Sequence, residues 1–181
     1  FFYWAAIFAR TMTAAPFSLR VAAAFLGVAT VAAVYFSVSQ LLWKAEGRVM
    51  SRRIALLAAA ICAFLFFHVV FSRIGLRTIS LPLLECLAFG LLWQARRLRD
   101  WRRWLAGGAL LGLTLYSYTA SRLLISGFIV YALYFVLRRR KSADWRGWAI
   151  AAAGFVAVVS PIAIYALNHY AALFQRTSGI A

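Results

Sequence analysis

The sequence predicts an all-α fold, a polytopic transmembrane helical bundle with about six spans. Three observations carry that expectation. The chain is 65% hydrophobic and only 13% charged, whereas a soluble domain carries about a quarter charged residues. Its mean hydropathy is +0.84. Its basic residues gather at every second gap between apolar stretches, with Lys44, Arg48, Arg52 and Arg53 in one gap, Arg96, Arg97, Arg99, Arg102 and Arg103 in the next, and Arg138, Arg139, Arg140, Lys141 and Arg146 in a third. The gaps between hold only Arg73 and Arg77, then Arg122. This alternation is the positive-inside pattern of membrane helices.

Residues 1–9 are apolar and aromatic but too few to span a bilayer, which needs roughly twenty. They read as a helix tail or an interfacial helix, ended near Pro16 and Ser18. The expected spans are then Val21–Trp43, Ile54–Phe71, Thr78–Gln94, Trp104–Thr119, Leu123–Leu137 and Trp148–Asn168. Trp43, Trp93, Trp101, Trp104, Trp145 and Trp148 fall at the basic ends, where an interfacial aromatic belt belongs. Gly107, Gly108 and Gly112 form a small-residue face suited to close helix packing. Pro82 and Pro161 fall within spans, tolerable where other groups satisfy the freed carbonyls.

The net charge of +16 does not point to nucleic acid, because it sits in short clusters at span ends; anionic lipid headgroups are its expected partner. Cys62 and Cys86 lie in apolar spans and read as packed thiols. No metal-ligand cluster, Ser-His-Asp set or phosphate-cradling glycine loop is visible. The chain begins Phe-Phe-Tyr-Trp and is expected to be a fragment: one transmembrane domain over residues 1–181 of a longer protein.

With the basic gaps cytoplasmic, the outward segments are His68-Val-Val-Phe-Ser-Arg-Ile-Gly-Leu-Arg77, Tyr116-Ser-Tyr-Thr-Ala-Ser-Arg122, and Asn168-His-Tyr with Gln175-Arg176-Thr177 beyond. Arginine on the outward side runs against the positive-inside bias. A shared anion explains it, since guanidinium pairs bidentately with phosphate, although a lone arginine at a helix end also snorkels to headgroups. Glu85 is the one acid inside a span, and a hydrogen bond to a neighbouring helix is its expected role. Glu46, Asp100 and Asp144 fall on the cytoplasmic side, so no outward loop here carries a carboxylate base.

These motifs resemble bacterial glycosyltransferases of family 39, which are related to dolichyl-phosphate-mannose protein mannosyltransferases and to aminoarabinose transferases acting on lipid A. The resemblance is an ordered series: Phe17-Ser-Leu-Arg20 before a small-residue helix, Arg53-Ile-Ala-Leu-Leu-Ala-Ala at the start of the next span, the Ser72-Arg73 loop, and Gly107-Gly-Ala-Leu-Leu-Gly-Leu-Thr-Leu-Tyr-Ser-Tyr-Thr-Ala-Ser-Arg122. It implies a GT-C fold and a membrane transferase moving a sugar from a polyprenyl-phosphate donor to a lipid, glycan or protein acceptor at the outer face of the bacterial cytoplasmic membrane. The family's catalytic acid would precede Phe1. Many relatives carry a further acid after the Ser-Arg pair, where this chain has Leu76-Arg77-Thr78. Arg73, Arg77, Tyr118 and Arg122 are then the candidates for the donor phosphate, and His68, Ser72, Tyr116, His169 and Arg176 for other substrate contacts. No cofactor is expected in this stretch; the resemblance leaves room for a divalent metal in the longer protein.

Two other readings compete. A transporter or permease subunit would use Glu85, Pro82, Pro161 and the glycines as a solute path, and a structural subunit would do no chemistry. The topology itself is testable: a cysteine placed at Leu76 should react with a membrane-impermeant thiol reagent on intact cells, and one at Asp100 only after permeabilisation.

Overall fold

The computed structural model describes residues 1–11, 15–43, 47–117, 121, 123, 126, 127, 129, 130, 133, 134 and 145–168, and among these there is no β-strand. The helices are α1 (Phe2–Thr11), α2 (Ala15–Leu42), α3 (Gly47–Phe64), α4 (Phe66–Ile74), a 3-10 turn (Arg77–Ile79), α5 (Ser80–Leu98), α6 (Trp101–Ser117) and α7 (Trp145–Asn168). The N-terminal apolar segment is therefore a helix of its own. It packs on α2, where the Trp4 indole N–H donates to the Ala22 carbonyl at 3.2 Å.

Among the described residues, two helices are long and apolar enough to cross a bilayer, over Phe17–Leu42 and Trp145–Tyr165; α3 and α4 together make a third, bent candidate. The other two long helices fall short for visible reasons. α5 carries Glu85, Arg96 and Arg97, and α6 has 17 residues. The expected second span is thus corrected. It is not one rod from Ile54 to Phe71 but two helices meeting at 56° around Leu65, whose backbone is extended. Neither Gly nor Pro stands at the break. Its local hydrogen bonds are repaired by Leu65 N–H to Cys62 O at 3.2 Å and Val69 N–H to Leu65 O at 3.0 Å.

α2 is the hub of the first half, packing on α1, α3, α4 and α5; α5 then packs on α6, and α6 on α7. Cross-contacts give the directions. Gly27 meets Ser72 and Gly75 meets Leu19, so α4 runs antiparallel to α2. The Ser51 hydroxyl donates to Ser39 O at 2.8 Å, so α3 does the same. Phe36 packs on Gly90 and Arg97 reaches Gln40, so α5 is parallel to α2. Leu92 packs on Gly107, and the Ser80 and Ser117 hydroxyls lie 2.6 Å apart, so α6 returns against α5. α6 and α7 are parallel: Gly108 faces Ala151 and Gly112 faces Val158. The expected fifth span, Leu123–Leu137, lies mostly outside the described residues.

The α6–α7 seam explains the glycines. A methyl added at Gly108 would collide with the Ala151 carbonyl, and one at Gly154 with the Leu105 carbonyl. Small residues let the two backbones approach, which is how helices gain contact without a hydrophobic driving force in lipid. The core beside the seam holds Ala88, Leu92, Ala95, Trp104, Leu111 and Ala151. Trp104 is a correction to the expected belt. It is only 2% exposed, packed on Gly147 and 5.3 Å from the Trp148 ring, so it is core and not lipid-facing.

Both prolines fit. Pro82 sits in the first turn of α5, where backbone N–H groups have no helical partner to lose. Pro161 lies inside α7 and withdraws the N–H that would bond Ala157 O. The Ser160 hydroxyl donates to that carbonyl instead, at 3.0 Å. Asp100 caps α6: its Oδ1 accepts the Arg102 N–H at 3.0 Å, and its Oδ2 lies 3.5 Å from Arg103. Glu85 is half-buried and makes no hydrogen bond to another described residue.

Gly108→Ala and Gly154→Ala should each destabilise the protein by about 1–3 kcal/mol through overpacking. Gly127→Ala, which meets nothing within 4 Å, should be silent. Thermal unfolding in detergent, followed by a thiol-reactive dye at Cys62 and Cys86, separates the two classes.

Candidate functional site

The end of the bundle away from the basic clusters, the outward end in the expected topology, is built by the first half of α2, the bent helix α4, the 3-10 turn, and the adjoining ends of α5 and α6. Gly27 is its pivot. The His68 Nε2 atom lies 3.1 Å from Gly27 O, and Ser72 packs on the bare face of Gly27, so close that a Cβ there would lie 2.7 Å from the Ser72 Cβ. Ser72 satisfies its own hydroxyl within α4, donating to Val69 O at 2.8 Å. These contacts pull α4 across α2 after the break. α4 ends at Gly75 in the left-handed region, φ 81°, where a side chain is strained.

That turn sets the cations. Arg73 is in the last turn of α4, exposed, with no hydrogen bond or ion pair to a described residue. Arg77 opens the 3-10 turn, which closes with Ile79 N–H to Leu76 O at 3.2 Å. Arg20, also exposed, follows Leu19, whose backbone faces Gly75. Sequence reading quoted Arg20 only within the Phe17-Ser-Leu-Arg20 motif, just before the expected first span, and did not count it among the outward cations; the structure places it inside α2.

The candidate residues divide accordingly. The structure brings His68, Ser72 and Arg73 together on α4, with Arg77 following. His68 and Ser72 also hold α4 to α2. The Tyr116 hydroxyl donates to Val158 O at 2.8 Å, so it ties α6 to α7. Tyr118, Arg122, His169 and Arg176 lie outside the described residues.

A hydroxyl group set was not foreseen. Ser80 and Ser117 are buried and share their 2.6 Å bond across α5 and α6, and Ser121, beside Arg122, is fully buried. Thr78 Oγ1 is buried without a hydrogen-bond partner among the described residues. Its signal in the sequence is faint, a Ser or Thr at each of several outward helix ends. Together with the cations it makes this end cationic and rich in donors, suited to the oxygens of an anion. The described carboxylates are elsewhere, Asp100 in the α5–α6 turn and Glu85 within α5.

A sequence profile of the dolichyl-phosphate-mannose-protein mannosyltransferase family matches residues 1–165. The chain belongs to this family. Neither a curated protein nor a solved structure matches it significantly. Membership makes this mannosyltransferase-family chain a membrane glycosyltransferase by type, with a GT-C architecture that agrees with its helical, membrane-spanning build. It also implies a lipid-linked sugar donor and an acceptor at the membrane.

Gly27→Ala tests whether the α4 position matters to this glycosyltransferase. It should lower turnover about tenfold, equal to roughly 1.4 kcal/mol of lost transition-state stabilisation. Ser72→Gly, which removes the colliding Cβ, should restore much of it in the double variant; steady-state kinetics of the single and double variants make the comparison.

Proposed function

We propose that the protein transfers a sugar from a polyprenyl-phosphate donor to an acceptor at the outer face of the bacterial cytoplasmic membrane. The observation that carries the reading is Arg73, exposed and unpaired among the described residues at the end of a bent helix on the outward side, in a chain of the mannosyltransferase family. The family assignment displaces the transporter reading.

In this proposal Arg73, Arg77, Tyr118 and Arg122 hold the donor phosphate. The acceptor hydroxyl or amine attacks the anomeric carbon. Its bond to that carbon forms as the bond from carbon to the phosphate oxygen breaks, and the lipid phosphate departs with the electron pair. Charge grows on that phosphate in the transition state, and guanidinium groups already in place stabilise it there more than in the ground state. The acceptor proton goes to a carboxylate that is not among the described outward residues; the resemblance places it upstream of Phe1. His68, Ser72, Tyr116, His169 and Arg176 remain candidates for contacts to the sugar or acceptor. No three His, Cys, Asp or Glu come together among the described residues. A divalent metal on the donor phosphate would therefore need ligands from elsewhere, and no step here runs through one.

Arg73→Ala and Arg122→Ala should each lower kcat about 10²–10³-fold, the size seen when one transition-state donor is lost, with membrane insertion unchanged. Lys at either position should recover part of the rate. The assay is release of polyprenyl phosphate from polyprenyl-phosphate-mannose by reconstituted protein; normal rates in both Ala variants would sink the donor-phosphate assignment.

A further inference from the structure

Arg20 stands on the face of α2 that α4 crosses. It lies seven residues before Gly27. That is about two turns at 3.6 residues per turn, so the two positions share one face of the helix. α4 lies on this face: Ser72 packs against Gly27, and the His68 Nε2 atom reaches Gly27 O at 3.1 Å. One residue before Arg20, the Leu19 backbone meets Gly75, where an added Cβ would lie 3.4 Å from the Leu19 carbonyl carbon and oxygen. Arg73 is two residues before Gly75. The contact between α2 and the end of α4 is thus flanked by one arginine from each helix, and both are exposed.

Two like charges at one contact repel. Neither Arg20 nor Arg73 makes a hydrogen bond or ion pair to offset this. The described carboxylates are far off. Asp100 is in the α5–α6 turn and engaged with the Arg102 N–H and Arg103. Glu85 precedes Cys86, whose carbonyl takes the Ser37 hydroxyl, so it is level with a part of α2 roughly 25 Å along the axis from Arg20. A snorkelling arginine needs only a path to the headgroups, which any lipid-facing position on α2 would give. Arg20 is instead on the face that carries a second helix and a second cation.

We propose that Arg20 is a phosphate-binding residue, closing with Arg73 on the lipid phosphate of the sugar donor from the facing helix. The assignment rests on the donor-phosphate reading above and adds to it a residue of α2. The chemistry asks for a second cation. The donor phosphate is a diester with a single negative charge. The polyprenyl phosphate that leaves is a monoester, which carries about −1.5 to −2 at neutral pH. One guanidinium balances the first and two balance the second, so Arg20 acts most on the charge that grows as the bond to the sugar breaks.

The full-length protein, reconstituted in phosphatidylcholine vesicles, is titrated with radiolabelled polyprenyl phosphate. Arg20→Ala should weaken binding about tenfold, the loss of one charge-assisted hydrogen bond, and Arg73→Ala should do the same. Arg20→Lys should recover part of the affinity. Arg10→Ala removes a cation from α1, which packs on another side of α2 at Ala22, and should leave binding unchanged. Unlabelled polyprenyl phosphate should displace the label, and an equal amount of phosphatidylglycerol should not. Full binding in Arg20→Ala alongside weakened binding in Arg73→Ala overturns this inference and leaves the donor-phosphate reading standing. Full binding in both variants overturns the two together. Equal weakening by Arg10→Ala, or displacement by phosphatidylglycerol, assigns Arg20 to general headgroup attraction and also overturns the inference.

Discussion

A hydrocarbon layer offers no partner to an N–H, a carbonyl or a hydroxyl, and the rest of this structure follows from that. Backbone groups must be satisfied within the segment, so the chain is helical. Hydroxyls must be satisfied too, and they are mostly satisfied at home. Thr30 donates to Leu26 O, Ser39 to Phe36 O, Ser72 to Val69 O, Thr114 to Leu111 O and Ser160 to Ala157 O, each three or four residues back on its own helix. Few polar side chains are then left to glue one helix to another. Those that do bridge helices fix register: Ser51 on Ser39 O, Ser37 on Cys86 O, Ser80 on Ser117 and His68 on Gly27 O, with Trp4 on Ala22 O, Arg97 on Gln40 and Tyr116 on Val158 O.

Because lipid does not squeeze helices together, close approach has to come from shape. The glycines of α6 and α7 do this on one side of the bundle and Gly27 and Gly90 do it around α2. The two groups have different consequences. Gly108 and Gly154 join two parallel helices along their length, which makes a rigid pair. Gly27 admits one short helix across the outward end of α2, which sets the direction of a single cation-bearing segment.

Much of the fold was legible because the bilayer writes its ends into the sequence. Arginine and tryptophan mark the basic ends of α2, α5, α6 and α7 within a few residues. The helix break at Leu65 was not legible. Residues 62–67 hold neither Gly nor Pro, and the bend depends on His68 and Ser72 meeting Gly27, some forty residues away in sequence. Trp104 misled for a related reason. Its neighbours in sequence are arginines, but its neighbours in space are Gly147 and Trp148. Of the site, sequence found the α4 cations from charge bias alone. It did not single out Arg20, which stood just before the expected first span, nor the buried hydroxyls, which do not break the pattern of an ordinary span.

The two ends of the bundle treat their arginines differently, and that difference bears on function. At the basic end Arg48, Arg96, Arg97 and Arg102 rest on Trp43, Trp93 and Trp101 rings, and Arg97 also donates to Gln40. These cations are partly spent on the protein itself, as anchors of helix position at an interface. At the outward end, Arg73 rests on no ring among the described residues and is left exposed by a helix that bends to present it. A snorkelling residue needs no such bend, because a straight span ending at the same depth would let it reach the headgroups equally well. What the bend adds is direction: it turns Ser72 and Arg73 away from the line of α3 and onto α2, just before the 3-10 turn that leads into α5.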